Sequence, residues 1–189
     1  MTNKEIEVRF LEIDEKAIQK KLKNLGAQDE GEDILKETIF YDKEGRFVKE
    51  HKFVRLREGG EKTLLAYKHH ISYGAHITSI ENTIEIEFGV SDPKSARRFL
   101  EELGLIAYRE QEKKRHKYKL GKVTLDIDTW PKIPTYLEIE APSEKELKET
   151  ARQLGLSWKD AFFHSAREVL EKYKIPITTL KYFTFKKIE

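Results

Sequence analysis

The sequence predicts an α+β fold in which helices cover the apolar faces of antiparallel strands. Three observations carry that expectation. Several segments alternate apolar and polar residues with period two. Amphipathic stretches with cap residues lie between them. Glycines punctuate the chain at Gly45, Gly59-Gly60 and Gly121, where hairpin turns would fall. No low-complexity or Pro/Gly-rich linker interrupts the 189 residues, so 1–189 reads as one domain, with a core of about 4–173 and a tail of 174–189.

The elements follow in order. The first strand is Glu5-Ile6-Glu7-Val8-Arg9-Phe10. Asp14 then caps a helix from Glu15 to Leu25, closed by Gly26. Strands are expected at Ile34 to Tyr41, Phe53 to Arg57, Leu64 to Lys68 and Thr83 to Phe88. Asp92 and Pro93 start a second helix that runs to Leu103 before Gly104. Lys113 to Leu120, Val123 to Asp128 and Tyr136 to Glu140 are further strands. A helix from Glu144 to Leu154 has Ser143 and Glu146 at capping-box spacing, with Gly155 after it. A last helix is expected from about Trp158 to Tyr173, started by Ser157 and ended before Pro176. The tail from Thr178 to Glu189 adds a short strand. A weak repeat is visible: Glu-Ile-Glu at Glu5, Glu85 and Glu138 each leads to a helix ending in Leu-Gly.

Composition excludes several classes. Charged residues make up 37% of the chain, against about 25% on average. Yet 36 Lys and Arg balance 34 Asp and Glu, for a net charge of +2. That argues against a broadly basic nucleic-acid binder. Apolar runs are far too short for a membrane span, and no signal-peptide pattern opens the chain. The absence of cysteine removes disulfides, thiolate metal sites and a thiol nucleophile. A cytoplasmic protein is expected.

Residues two apart in a strand share a face, so parity sorts the charges. Glu5, Glu7 and Arg9 oppose Ile6, Val8 and Phe10. By the same rule Arg55 goes with Arg57, Glu85 with Glu87, Lys113 with Arg115, Asp126 with Asp128, and Glu138 with Glu140. Lys68 shares a side with Leu64 and Ala66. A solvated outer face explains any one such strand. For the set, the helices need the apolar faces, which leaves every charged face on the opposite side of the sheet. If the sheet curls closed, six basic and eight acidic candidates line one interior. A dry interior could not hold them unpaired. A wet one binding a charged ligand could. Arg and Lys suit phosphate oxygens, and clustered carboxylates suit Mg²⁺ or Mn²⁺. The two needs meet in a metal–polyphosphate complex.

With these motifs assembled, the sequence resembles the CYTH, or triphosphate tunnel metalloenzyme, superfamily. The likeness rests on Glu5, Glu7 and Arg9, then Arg55-x-Arg57, the segment Thr63 to Lys68, Glu85 and Glu87, Lys113-x-Arg115, Asp126 with Asp128, and Glu138 with Glu140. It implies an eight-stranded antiparallel β-barrel tunnel with helices outside. It further implies a small-molecule triphosphate substrate (ATP, tripolyphosphate or thiamine triphosphate) and Mg²⁺ or Mn²⁺. The motif layout is most similar to class IV adenylate cyclases, a resemblance that also implies a homodimer. On this reading Arg9, Arg55, Arg57, Lys68, Lys113 and Arg115 bind the triphosphate. Glu5, Glu7, Asp126, Asp128, Glu138 and Glu140 hold metal, and Glu5, Glu7, Glu85 and Glu87 serve catalysis. The same residues would serve a cyclase or an inorganic or thiamine triphosphatase. A binding protein without turnover is a further alternative. Two departures stand out: Arg9 where the family usually has Lys, and Pro131-Lys132-Ile133-Pro134 where many members have glycine.

Other features have plainer readings. His69-His70 and His76 read as a hairpin surface, since adjacent strand residues point apart. Lys113-Lys114-Arg115 is poor support for a nucleic-acid patch on a balanced background. Trp130, Trp158, Phe162 and Phe163 read as packing the core or an interface.

Overall fold

The chain runs β1 (Asn3–Glu5), β2 (Glu7–Phe10), α1 (Glu15–Asn24), β3 (Gln28–Asp42), α2 (Arg46–Lys49), β4 (Lys52–Gly59), β5 (Lys62–His70) and β6 (Thr83–Val90). It continues through α3 (Pro93–Glu102), β7 (Leu105–Leu120), β8 (Val123–Thr129), β9 (Tyr136–Glu140), α4 (Glu144–Gln153), β10 (Ala161–Phe162), α5 (Ala166–Lys172) and β11 (Tyr182–Phe183). This computed structural model describes residues 3–60, 62–70 and 83–189, with 3–5 and 83 described through their backbone. The side chain of Glu5 and the whole of His76 therefore lie outside the described residues.

One sheet holds all the described strands, in the order β1-β6-β5-β4-β3-β7-β8-β9-β2-β10, with β11 beside β7. Neighbours are antiparallel except β11, which runs parallel to β7 through Tyr182 and Glu110. The N-terminal segment has two partners. Asn3 to Glu5 pair with β6, and Glu7 to Phe10 pair with β9. Among the described residues there are eleven strand segments where eight and a short tail strand are expected, because this segment is divided at Ile6 and β10 is a two-residue addition; β11 is the tail strand.

The helices cover the apolar strand faces, as parity required. Val8, Phe10, Leu125, Ile127, Leu137 and Ile139 pack beneath Ile18 and Leu22 of α1, Leu147 and Ala151 of α4, and Leu154 just after it. Each such fully buried aliphatic or Phe side chain contributes roughly 1.5–3 kcal/mol. Leu100 of α3 sits on Phe40 and Leu56, and Val169 and Leu170 of α5 join Trp130, Tyr136, Ile177 and Phe183. Asp14, Asp92 and Ser143 cap α1, α3 and α4 through their side chains. Gly26, Gly104 and Gly155 follow the three helices at φ of 74°, 87° and 66°, a left-handed turn that favours glycine. The three strand–helix units therefore end alike.

Three expectations need correction. The stretch from Trp158 to Tyr173 is not one helix. A 3-10 turn at Trp158–Asp160 leads into β10, whose Ala161 and Phe162 pair with Phe10 and Arg9. The helix starts later, at a capping box made by Ser165 and Glu168. Pairing to a distant strand overrides the local helical pattern there. Gly45 makes no hairpin but precedes α2, whose start is fixed by the Asp42 carboxylate accepting from the Arg46 and Phe47 amides at 3.0 and 2.6 Å. Finally, β3 and β7 are far longer than expected and pair from Gln28↔Lys119 to Asp42↔Leu105. Gln28 to Asp33 is exposed and lacks alternation, so periodicity had nothing to report.

Candidate functional site

A cavity of about 340 Å³ is walled by β2, by every strand from β3 to β9, and by α5. Register explains who faces it. Arg55 stands opposite Ala66, which stands opposite Glu87, and Lys68 stands opposite Glu85. Asp126 faces Glu138, Glu138 faces Arg9, and Glu140 faces Glu7. Ala66 is fully buried and small, so the long Arg55 side chain passes over its strand to reach Glu85 at 3.1 Å and Glu87 at 3.0 Å.

The cations are held by a mesh of carboxylates. Arg9 donates to Glu7 at 2.7 Å, Glu138 at 2.6 Å and the His164 carbonyl at 2.5 Å. Lys68 meets Glu85 at 2.9 Å. Arg115 contacts Asp126, and reaches Asp128 at 2.6 Å and Glu138 at 3.1 Å. Arg57 donates to Glu37 at 2.8 Å. Burial opposes the ionised form of Glu37, but Arg57, Arg55 and Lys113 outweigh it and hold the carboxyl far below its ordinary range.

Asp128 has a different place from the one a metal ligand needs. It is fully buried and absent from the cavity wall. Its carboxylate accepts from Lys113 Nζ at 2.7 Å and from Arg115 Nε and Nη2 at 2.6 Å each, with the Tyr136 hydroxyl at 3.4 Å. It positions two cations from behind.

The cavity's remaining carboxylates repel one another. Burial raises Glu140, and Glu7, Glu138 and Asp126 raise it further. Asp126 is likewise raised, first by burial, and its Oδ1 is buried without a hydrogen-bond partner. Among the described residues no group of three or more His, Cys, Asp or Glu is arranged to hold a metal ion by itself. A hard cation of the Mg²⁺ type takes one or two carboxylates and completes its shell with water and phosphate oxygens. Glu140 and Asp126 supply two such carboxylates, with Glu7 beside Glu140, and a cation would relieve their repulsion and satisfy Oδ1.

The wall also holds residues that parity missed: Glu37, Arg109, Gln111 and Lys117. Arg109 and Gln111 continue the odd-numbered face of Lys113 and Arg115 into the part of β7 before Lys113, beyond the expected strand, whereas Lys117 has the same parity within it and is missed all the same. Glu37 gave no signal, since charges lie on both faces of β3. Of the pair His69-His70, His70 does not face the surface as expected. His70 lines the cavity, and burial, then Lys68 and Arg9, lower its pKa to about 3. Trp130 is core, as expected, and also borders the cavity.

A sequence model of the CYTH domain matches residues 3–166. This chain belongs to the CYTH domain family. The CYTH family is one of triphosphate tunnel enzymes, and this chain is one of them. A search of curated proteins finds no match. Solved structures give the fold independently. A protein from Pyrococcus horikoshii OT3 shares 27% identity, with a TM-score of 0.69 over 87% of this chain and 98% of that one. A proposed adenylate cyclase from Vibrio parahaemolyticus has a TM-score of 0.74 at 17% identity, covering 90% and 99% of the two chains. A proposed adenylyl cyclase from Hippeastrum, in which triphosphatase activity dominates, has a TM-score of 0.62 at 15% identity, over 89% and 95%. The departure at Arg9 from the family's usual lysine is accommodated here by two carboxylates and a carbonyl. No described helix is long and apolar enough to cross a membrane.

Proposed function

We propose that this CYTH protein is a divalent-metal-dependent enzyme that converts ATP to cyclic AMP and pyrophosphate inside a closed barrel tunnel. Closure is supported by the N-terminal segment. Counted as one strand pairing with both β6 and β9, it completes a ring of eight with β6, β5, β4, β3, β7, β8 and β9. β10 then extends the ring's edge beside β2.

One observation carries the ligand class. Arg9, Arg55, Arg57, Lys68, Lys113 and Arg115 surround one cavity, and Arg9 Nε and Arg55 Nε are buried there without hydrogen-bond partners. Buried donors of this kind are costly unless a ligand accepts from them. Phosphate oxygens are the natural acceptors. Val48, Phe53 and Ile177 add apolar wall that an inorganic triphosphate would not use, which favours a substrate with an organic group.

Glu7, Glu140 and Asp126 would hold Mg²⁺ or Mn²⁺, and the bound ion would neutralise phosphate charge during transfer. Glu5 belongs with them by sequence position. Glu138 is shared between Arg9 and Arg115, so it orients the cradle. Glu85 and Glu87 aim Arg55 at the substrate, and Glu87 is the more exposed of the two and able to take the proton from the attacking hydroxyl. In the cyclase reaction the ribose 3′ oxygen bonds to the α-phosphorus, its proton leaves, and pyrophosphate departs.

The test is incubation with ATP, tripolyphosphate or thiamine triphosphate and either metal, with product identification. Cyclic AMP plus pyrophosphate is expected. Orthophosphate from tripolyphosphate would assign a hydrolase instead, and binding without turnover would remove the enzymatic reading. Glu7→Gln should abolish metal-dependent turnover in a folded protein.

A further inference from the structure

Four cationic side chains among the described residues are buried: Arg9, Arg55, Arg109 and Lys113. Three of them touch carboxylates, Arg9 at 2.6 Å, Arg55 at 3.0 Å and Lys113 at 2.7 Å. Arg109 does not. Its Nε donates to Gln111 Oε1 and its Nη1 to the Ile177 carbonyl, both at 2.8 Å and both neutral. Burial lowers its pKa; Tyr41, which also hydrogen-bonds it, and Tyr108 offset that only in part, and among the described residues no carboxylate pairs with it. A buried charge without a counter-charge costs several kcal/mol, so its presence needs a reason. Arg109 also lines the cavity.

Its place on the wall suggests the reason. Inward-facing residues of β7 succeed one another as Arg109, Gln111, Lys113 and Arg115. At about 3.3 Å per residue, the Arg109 and Lys113 backbones are about 13 Å apart. The bond to Gln111 leans the Arg109 guanidinium along the strand toward Lys113, which shortens that gap. Gln111 in turn donates to Glu37 at 2.7 Å, and Glu37 holds Arg57. Arg109 is thus built into the frame that aims the cradle. The second anchor, Ile177, lies beyond residue 166, where the family match ends.

We propose that Arg109 is a further substrate-binding residue, whose guanidinium takes the end of the phosphate chain that lies toward α5, beyond the phosphates held by Lys113 and Arg115. The inference rests on the triphosphate reading above and deepens it. The ligand supplies the missing counter-charge, and the C-terminal segment holds the guanidinium ready through the Ile177 carbonyl.

Calorimetric titration of the full chain with tripolyphosphate and with pyrophosphate, in a chelator so that nothing turns over, tests this. Arg109→Gln and Arg109→Met should bind tripolyphosphate about tenfold more weakly or worse, and pyrophosphate within about twofold of the parent. Arg109→Lys keeps the charge but not the fork, so it should lose about threefold for tripolyphosphate alone. That variant decides the matter should neither neutral one fold. Melting temperatures of the folded variants should fall only modestly, because the change removes neutral hydrogen bonds to Gln111 and the Ile177 carbonyl but breaks no ion pair. Equal weakening of both ligands, unchanged tripolyphosphate binding, or a fall in melting temperature that accounts for the loss would overturn the proposal. A parent protein that binds neither anion would instead overturn the triphosphate reading itself.

Discussion

Asp128→Asn removes one charge from the fully buried carboxylate behind the cationic wall while keeping its size. Lys113 then loses the carboxylate at 2.7 Å that is its ion-pair partner among the described residues. Arg115 loses two contacts at 2.6 Å but keeps Asp126 and Glu138. Removing one partner of a buried pair costs about 3–5 kcal/mol. The amide oxygen still accepts one bond and Arg115 stays paired, so the low end, about 3 kcal/mol, is expected at pH 7. Burial, then Arg115, already lowers the Lys113 pKa below its ordinary 10.5, and loss of Asp128 lowers it further. Lys113 then sheds its proton more readily, and the stability deficit should narrow as pH rises toward 10.5. Urea denaturation measures the loss. Calorimetric Mg²⁺ titration of the folded variant should show affinity near the parent's. Parent-like stability with Mg²⁺ affinity lost would refute the argument and restore Asp128 as a metal ligand.

Glu37→Gln should destabilise by about 3 kcal/mol at neutral pH. Because the folded Glu37 pKa is depressed, its contribution is complete above the unfolded value of 4.5 and fades as pH falls below it, so denaturation curves of variant and parent should converge in acid. His70, at about 3 against an ordinary 6.5, binds a proton more readily unfolded, so it adds stability that is full above pH 6.5 and declines toward pH 3. Proton NMR should show no His70 titration between pH 8 and 5, and a step near 6.5 would contradict its burial. Glu140→Gln should weaken Mg²⁺ binding about tenfold, as loss of one ligand charge does. The same change should leave the metal-free protein as stable or slightly more so, because it relieves repulsion from Glu7, Glu138 and Asp126. Thermal denaturation with and without Mg²⁺ reads both effects.

Much of the architecture was legible along the chain because it is local. Period-two alternation placed the shorter strands, and cap residues with following glycines placed α1, α3 and α4 to within a residue or two. Parity alone put Arg9, Arg55, Arg57, Lys113, Arg115, Glu7, Glu138 and Glu140 on one face, and all of them line one cavity. Where the chain failed to announce itself, a distant partner had decided. The segment before Ser165 breaks from its helical pattern because β10 finds a strand edge at Phe10 and Arg9. Gln28 to Asp33 is strand because β7 lies beside it, not because of its own residues.

The sequence by itself determined which residue types are available to the site, and on which side of each strand they stand, since both follow from the two-residue repeat of an extended chain. Parity cannot say whether a carboxylate looks into a cavity or behind its wall. Asp126 and Asp128 have the same parity, yet one borders the cavity with a bare oxygen and the other is spent on Lys113 and Arg115. That division, the neutral embrace of Arg109 by Gln111 and Ile177, and the passage of Arg55 over Ala66 depend on which strands become neighbours. Only the tertiary structure fixes those distances, and at these separations burial and pairing set the sign and size of every charge's contribution.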